Sequence, residues 1–481
     1  MIALAAVSIP AAGAEKPKAQ ASIEANPGLS PAFGFKRHDY VVRCDSNPVK
    51  FRVAVPAGWT ARVGALPRRG SSSTSTRQMS SGSRVTLRLR TADRKSRESV
   101  YHVRCLPDDF PDYTFRRLNP GGPRLFVMQF ANQYAAIINR DGAPVWWYQA
   151  DGVADNARIM PDGNIAWAPV ARFDFQQGEY EIRNLRGRLL KTINTANGKL
   201  ADVHELLQLK NGNYLTGTFS KRTGVDATEF GGAADASVTD AEIQELRPDG
   251  SLAWSWNSGD HISLAETGRW WDMILPLDQP YDTVHWNSVE RNGNTLLMSF
   301  RHLDATYKID RATGDILWKL GGTPIPESLK VVNGPDGQTF GGQHDARQNP
   351  DGTISIFNNN TLLETPAAAV RYRVNEERGT AKLVSSISDP KAPWSFCCGS
   401  YNVLPSGDSL IGWGGVTKLP GNPFVTGSTF NGVTGAYDPD GDPLFRLKTP
   451  GAISYRANSV ETADPSVKKL RNAMDWMKKH P

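Results

Sequence analysis

Three of the eight histidines in this 481-residue chain stand at one position of an internal repeat. The repeat is an apolar-alternating run, a tight turn and a second alternating run, as in VHWNSVERNGNTLLMSF at residues 284–300. It recurs as VHELLQLKNGNYLTGTF at 203–219 and QHDARQNPDGTISIF at 343–357, and more weakly at 155–169 and 399–413. Aligned on the turn glycines Gly163, Gly212, Gly293, Gly352 and Gly407, the residue eight places earlier is Asp155, His204, His285, His344 or Gly399. A turnless sixth copy, SYRANSVE, puts Arg456 in the same slot. Neutral imidazoles serve as nucleophile, general acid or general base near pH 7. Arg301, in SFRHLD sixteen residues after His285, offers a planar fork that suits an oxyanion. Three histidines, Arg301 and, as substrate-binding groups, Asn287 and Arg456 amount to equipment for moving a sulfuryl or phosphoryl group through a covalent histidine. The competing local reading makes each histidine a turn or edge residue bonded to its neighbours. One shared register favours convergence.

The elements that would bring these residues together follow from the turns. An Asn-Gly turn at Asn292-Gly293 between alternating runs is a β-hairpin signature, because the turn demands positive φ. Each hairpin is accompanied by a second one with its own turn and an apolar, often tryptophan-bearing strand, as in INRDGAPVWWY and ELRPDGSLAWSW. Two hairpins make a four-stranded unit, and about six such units fit between residues 124 and 460. Period-two alternation and recurrent Gly/Asn/Asp turns exclude helical solenoids. The expectation is an all-β fold, a six-bladed β-propeller, whose innermost strands line an axial channel. His204, His285, His344 and Arg456 would then meet around one axis.

Around this propeller, expected over residues 115–462, the chain reads as follows. Residues 1–14 end in the small-residue site Ala12-Gly13-Ala14 and read as the end of a secretory signal. Residues 15–38 read as a mobile linker. Residues 39–110 carry short alternating runs that frame a solvated Ser/Arg-rich loop at 68–84, and predict a small β-sandwich-like domain. A Pro/Gly-rich connector follows at 107–123. Residues 463–481 space Val467, Leu470, Met474 and Met477 at helical intervals behind an Asp464 cap. Of two long inserts, 220–239 and 257–280, the second carries Trp270-Trp271, which read either as exposed groups for an aromatic guest or as packing on a blade rim.

Cys44 and Cys105 lie in alternating strands of the N-terminal region and are expected to form a disulfide, in keeping with export. Cys397-Cys398 are compatible with a vicinal disulfide, two free thiols or bonds elsewhere. A net charge of +6 without any long Lys/Arg run gives no support to nucleic-acid binding, and no later run approaches the length of a membrane span. The mild positive balance suits an anionic small substrate.

The segments DVHEL, VHWNSVE with SFRHLD behind it, and GGQHDARQ, in this order, resemble the bacterial arylsulfotransferase family over residues 115–461. The resemblance implies a six-bladed propeller working outside the cytoplasm without a cofactor. It implies transfer of sulfate from phenolic esters to phenols, independent of a nucleotide donor, by a ping-pong route through a sulfated histidine. By resemblance the nucleophile is His344, its supporting histidines are His204 and His285, and Arg301 holds the sulfuryl oxygens. The Cys397-Cys398 segment and the N-terminal domain mark a separate branch, and acceptor specificity does not carry over. Two rival readings remain from the residues alone. Three converging imidazoles are also a zinc or copper ligand set, though Arg301 and Arg456 would repel the cation. A basic channel could equally bind glycans or cell-wall anions without catalysis.

Overall fold

The computed structural model describes residues 21–44, 48–93, 98–130, 133–170, 178–334, 339–460 and 465–480. The signal sequence expected at 1–14 and the cap expected at Asp464 lie outside them. The chain divides into two compact units, residues 1–108 and 109–481.

The first unit is a small β-sandwich-like domain of two sheets. Val49–Ala54 is the middle strand of one, flanked by Ser22–Asn26 and Ser73–Arg77. The other runs Asp39–Arg43, Ser99–Leu106, Arg84–Arg90 and Thr60–Val63. Alternate residues such as Val49, Phe51, Val53, Leu87, Leu89, Tyr101 and Val103 face one core, as period-two patterning requires. The fold corrects two sequence expectations. Ser22–Asn26, read as mobile linker, pairs along its length with Val49–Ala54. Ser73–Arg77, read as solvated loop, forms an edge strand whose outward residues are polar enough to hide the strand signal. Cys44 and Cys105 are bonded, with Cα atoms 5.8 Å apart.

The second unit is the six-bladed propeller. Four of its sheets have four strands in sequence order, or four plus a parallel edge strand, starting with inner strands Val153–Ile159, Leu206–Gln208, Trp286–Asn292 and His344–Gln348. A fifth starts at Ser400–Val403, and its outer strand Pro443–Pro450 also pairs with Thr114–Arg117, within the stretch read as a bare connector. The remaining blade is composite. Leu125–Phe130, Tyr134–Asn139 and Pro144–Gln149 come from the start of the unit, and their innermost partner Ala457–Ser459 comes from its end. The ring is thus closed by hydrogen bonds between the two ends of the repeat array. The turnless sixth copy is this closing strand. It needs no hairpin of its own because its partner is already formed.

The core lies between blades, where large apolar residues of adjacent sheets interlock, as do Trp286, Val289, Leu296, Met298 and Phe300 with Leu215, Ile243 and Trp256. The fourth-blade hairpin turns one residue later than its Asn-Gly pair predicts. Asn292 pairs with Thr295, so the turn centres on Gly293-Asn294, with Gly293 at φ 59°. Positive φ at the first central residue is the requirement of the mirror-image turn that matches strand twist.

A helix, Val467–Lys479, ends the chain, capped by the Ser466 side chain and burying Leu470, Ala473 and Met474. Among the described residues no helix is long and apolar enough to cross a membrane.

Candidate active site

The slot residues lie where the inner strands begin, and three of those strands are bulged there. The pairing register shifts between Asp155 and Arg158, between Trp286 and Ser288, and between His344 and Arg347. A bulge re-aims a side chain out of the sheet's alternation, which places the slot residue toward the axis. The strain is visible in the backbone: Asn156, His285 and Asp345 have φ of 48°, 44° and 57°. Side chains on one inner strand bond the main chain of the next. Asn156 Nδ2 donates to the His204 carbonyl at 2.9 Å, and Asn287 Nδ2 to the Gln343 carbonyl at 2.7 Å.

His204 and His285 meet edge to face with ring centroids 5.2 Å apart. His285 lies 4.7 Å from His302, whose Nε2 is 2.6 Å from Arg301 Nη1. His344 joins the group through Tyr455, whose ring lies 6.4 Å from His344 and 5.5 Å from His204. Four residues singled out in the sequence, His204, His285, His344 and Arg301, therefore surround one end of the axis, all of them strongly buried except the slightly more open His285. The backbone N–H of Arg301 donates to the His285 carbonyl at 2.8 Å, so the fourth-blade hairpin itself carries both residues to the site.

The partners of each ring fix its tautomer. His344 Nδ1 faces two acceptors, the Gly342 carbonyl at 3.0 Å and Asn359 Oδ1 at 2.8 Å. Asn359 cannot present its amide nitrogen there, because Nδ2 donates to Ser395 Oγ and the Cys398 carbonyl, each at 2.9 Å. Nδ1 of His344 therefore carries the proton and Nε2 keeps its lone pair, which among the described residues accepts only from the Cys398 N–H at 3.2 Å. His204 Nδ1 instead bonds Asp202 Oδ1 at 2.5 Å, and His285 Nδ1 bonds Asp282 Oδ2. A carboxylate partner favours the charged imidazolium by its own negative charge, which an amide partner lacks.

Electrostatics widen this difference. Burial, and after it the Arg301 guanidinium, push the His344 pKa well below the usual histidine value. Burial also lowers His285 and lowers His302 strongly. Against the cost of burial, His285 and His302 hold the Asp282 carboxylate below its ordinary range. Asp155, the slot residue of the second blade, keeps some exposure, yet the dense surroundings desolvate its carboxyl and push it up to about 6.

Arg301 is sandwiched between the Trp270 and Phe396 rings, 4.5 and 5.3 Å from its guanidinium carbon. It donates to the Phe396 carbonyl at 3.3 Å, while its buried Nε has no partner among the described residues. The tryptophan insert is explained by this contact. Trp270 is 1% exposed and its Nε1 bonds Asp304, which also receives Arg269 and the Gly342 N–H. Trp271 stacks flat on Phe230. Neither ring is the exposed aromatic platform that one reading expected. The exposed aromatic near the site is Phe424, 77% exposed, whose ring lies 5.8 Å from Phe396.

Of the two residues read as substrate-binding, Arg456 is occupied by protein, while Asn287 is engaged through Nδ2 and its buried Oδ1 has no partner among the described residues. Arg456 is 1% exposed, bonds Glu205 at 3.1 Å and the Asn287 carbonyl at 2.6 Å, and forms an ion pair with Asp345 at 3.3 Å. Glu205 also receives Arg158 at 2.6 Å and Arg347. Burial works against its carboxylate, but these three arginines hold it down to about 2. This ion cluster plugs the axis below the histidines. Beyond it a cavity of about 400 Å³, lined by Arg158, Glu290, Arg347, Asn402 and Asn458, opens toward the hairpin turns.

Two site residues escaped the sequence reading. His302 directly follows Arg301 but lies outside the repeat register; its Nδ1 bonds the Asp282 carbonyl at 2.6 Å, which leaves Nε2 to accept from Arg301. Asn359 lies just past the second strand of its blade and carries no spacing signal. The Cys397-Cys398 pair, open to three readings in the sequence, is two free thiols with sulfurs 2.9 Å apart. Among the described residues metal-ligand chemistry gathers at Asp282, His285 and His302, whose ligand atoms lie within 4.8 Å of one another, and the three slot histidines together form no such group. Both His302 nitrogens are engaged, one of them with a guanidinium, so this set suits a hydrogen-bond relay better than a cation.

The model of the arylsulfotransferase family matches residues 115–456, the propeller and every residue just described from Asp155 to Arg456. The chain belongs to the arylsulfotransferase family. Membership makes it a sulfotransferase with small aryl donors and acceptors as substrates. No curated protein matches this chain. Solved structures similar to it include the dihydro-heme d1 dehydrogenase NirN in complex with DHE, at 9% identity over 77% of this chain and 84% of that one, TM-score 0.36. Hydrazine synthase of Kuenenia stuttgartiensis is similar at 11% identity over 68% and 86%, TM-score 0.34. The β-propeller domain of Myceliophteria thermophila Cps50 (Swd1) is similar at 7% identity over 69% and 88%, TM-score 0.36. At such scores these three carry no argument about this arylsulfotransferase.

Proposed function

We propose that this arylsulfotransferase moves a sulfuryl group from a phenolic sulfate ester to a phenol by a ping-pong route through a sulfohistidine at His344 Nε2, without a nucleotide donor. The observation that carries the reading is the contrast in imidazole partners: an amide behind His344, carboxylates behind His204 and His285. A nucleophile must stay unprotonated, and burial and Arg301 keep it so, outweighing the Asn359 bond, which by itself favours the protonated ring. In the first half-reaction the Nε2 lone pair forms the N–S bond as the S–O bond to the phenol breaks. His204, backed by Asp202, hands a proton to the departing phenolate oxygen. In the second, the acceptor phenol returns a proton to His204 and its oxygen takes the sulfuryl group from Nε2. Arg301 holds sulfuryl oxygens, with its unpartnered Nε and its cation fixed between two rings as preorganised charge. His285 and His302 link Asp282 to Arg301 and keep that charge in place. Arg456 positions the inner strands, and Asn287 does so through Nδ2 while its unpartnered Oδ1 remains a substrate-binding group. The Cys44–Cys105 bond supports an oxidising compartment, hence function outside the cytoplasm.

Incubation with an aryl sulfate and no acceptor, followed by quenching and peptide mapping by mass spectrometry, tests the reading. Acid-labile mass on the peptide containing His344, absent in His344→Ala, is the expected result. Full turnover in His344→Ala would sink it.

A further inference from the structure

Tyr455 stands beside the site, and sulfuryl transfer through His344, His204 and Arg301 does not use it. It is 3% exposed, and its hydroxyl has no hydrogen-bond partner among the described residues. Its ring lies edge to face against both His204, at 5.5 Å, and His344, at 6.4 Å. The residue cannot swing away. Its N–H donates to Gln129 Oε1 at 3.3 Å, its carbonyl accepts from the Gly399 N–H at 2.8 Å, and the Arg456 guanidinium lies 5.2 Å over the ring. A buried hydroxyl without a partner costs stability, and folds keep such a group where it does work in another state. Asp155, Asp202 and Cys398 are the other polar groups around the phenol, and burial with these neighbours raises its pKa well above the ordinary tyrosine value. The hydroxyl is therefore a donor at any working pH.

We propose that Tyr455 is a further catalytic residue, its hydroxyl donating a hydrogen bond to a non-bridging oxygen of the sulfuryl group as that group moves to and from His344. This rests on the sulfohistidine reading. Its place between the nucleophile and the proton-transfer histidine flanks the in-line axis, where the three non-bridging oxygens spread, and it is not at the end of that axis, where the phenol oxygen leaves. Arg301 and Tyr455 would then divide those oxygens between a cationic and a neutral donor. Tyr455 stays protonated throughout, so no proton moves through it.

Tyr455→Phe removes one oxygen and keeps the ring. In the wild type, sulfation of His344 is first established by mass spectrometry. The expected effect of Tyr455→Phe is a kcat about 100-fold lower in both half-reactions, in the range of one lost oxyanion donor. The factor should be the same for aryl sulfates whose phenols differ in acidity, and Tm should be unchanged or higher because the orphan hydroxyl is gone. An unchanged kcat in an otherwise active enzyme overturns the proposal and leaves the function standing. A lower Tm with unchanged kcat makes the hydroxyl structural and overturns it too. A loss confined to poorly acidic leaving phenols would move the hydroxyl to the bridging oxygen and overturn its assignment to a non-bridging one. A wild type that never sulfates His344 removes the sulfohistidine reading itself and this proposal with it.

Discussion

His344 Nδ1 lies 2.8 Å from Asn359 Oδ1, and the Asn359 amide nitrogen is committed to Ser395 and the Cys398 carbonyl. A neutral side chain just past the second strand of the blade thus decides which nitrogen of His344 carries the proton and which keeps its lone pair.

Replacing that amide by a carboxylate adds a negative charge to the same bond. In Asn359→Asp a negative charge stabilises the imidazolium, so the His344 pKa rises and more of the nucleophile is protonated at a given pH. The acid limb of kcat/KM is expected to move up by about 1 to 2 pH units, with activity recovering on the alkaline side. In Asn359→Leu, kcat should fall about 10- to 100-fold with little change in pH profile, the usual scale for losing an orienting partner. A pH–rate profile that does not move in Asn359→Asp would show that Asn359 does not set the charge of His344.

Stability should fall on acidification from pH 7 to 5. His344, His302 and His285 have folded pKa values below the unfolded value near 6.5, so the unfolded chain binds protons that the native state refuses, and the native state loses ground as pH drops through that window. Asp155 acts in the opposite sense, because at about 6 it binds a proton in the native state that the unfolded carboxyl refuses. Asp155→Asn should therefore steepen the loss of Tm between pH 7 and 5, and thermal melts at the two pH values read it directly.

Glu205 is bonded by three arginines and has no exposed side-chain surface. Glu205→Gln leaves Arg158, Arg347 and Arg456 buried without their shared anion, and should cost about 3 to 5 kcal/mol of stability. Denaturant titration measures it; a loss under about 1 kcal/mol would show that the cluster relaxes to water through the cavity beneath it.

Phe424 is exposed, so its removal should leave Tm unchanged. Its ring continues the line from Arg301 through Phe396. If the aryl ring of a substrate rests there, Phe424→Ala raises KM for aromatic acceptors by about threefold to tenfold, the worth of one aromatic pair, with kcat preserved. An unchanged KM across several phenols would place the aryl subsite elsewhere.

The repeat register was legible because a propeller forces equivalent positions to one axis, and the histidines were rare enough for three coincidences to stand out. Arg301 was legible from its spacing behind His285 and from the family resemblance. The same register misdirected Arg456. Its slot is equivalent to the histidines', but a slot says only that a residue faces the axis. It says nothing of whether Glu205 and Asp345, from other blades, take up its charge first. His302 and Asn359 lie off the register, and their importance comes from hydrogen bonds whose partners are fixed only by the tertiary fold. The N-terminal strands Ser22–Asn26 and Ser73–Arg77 were missed because each packs one face at most, which leaves too few apolar residues for alternation to register.

Ring closure by Ala457–Ser459 has a consequence in time. His204, His285 and His344 emerge from synthesis well before the residues that seat the last of the site. Until Leu125–Phe130 finds the closing strand, Arg456 cannot neutralise Glu205, Tyr455 cannot stand between His204 and His344, and the inner strands are not drawn to one axis. A chain still being made, or one clipped in its last blade, holds every imidazole and no assembled centre. Sulfuryl transfer is thereby reserved for a molecule whose two ends have met.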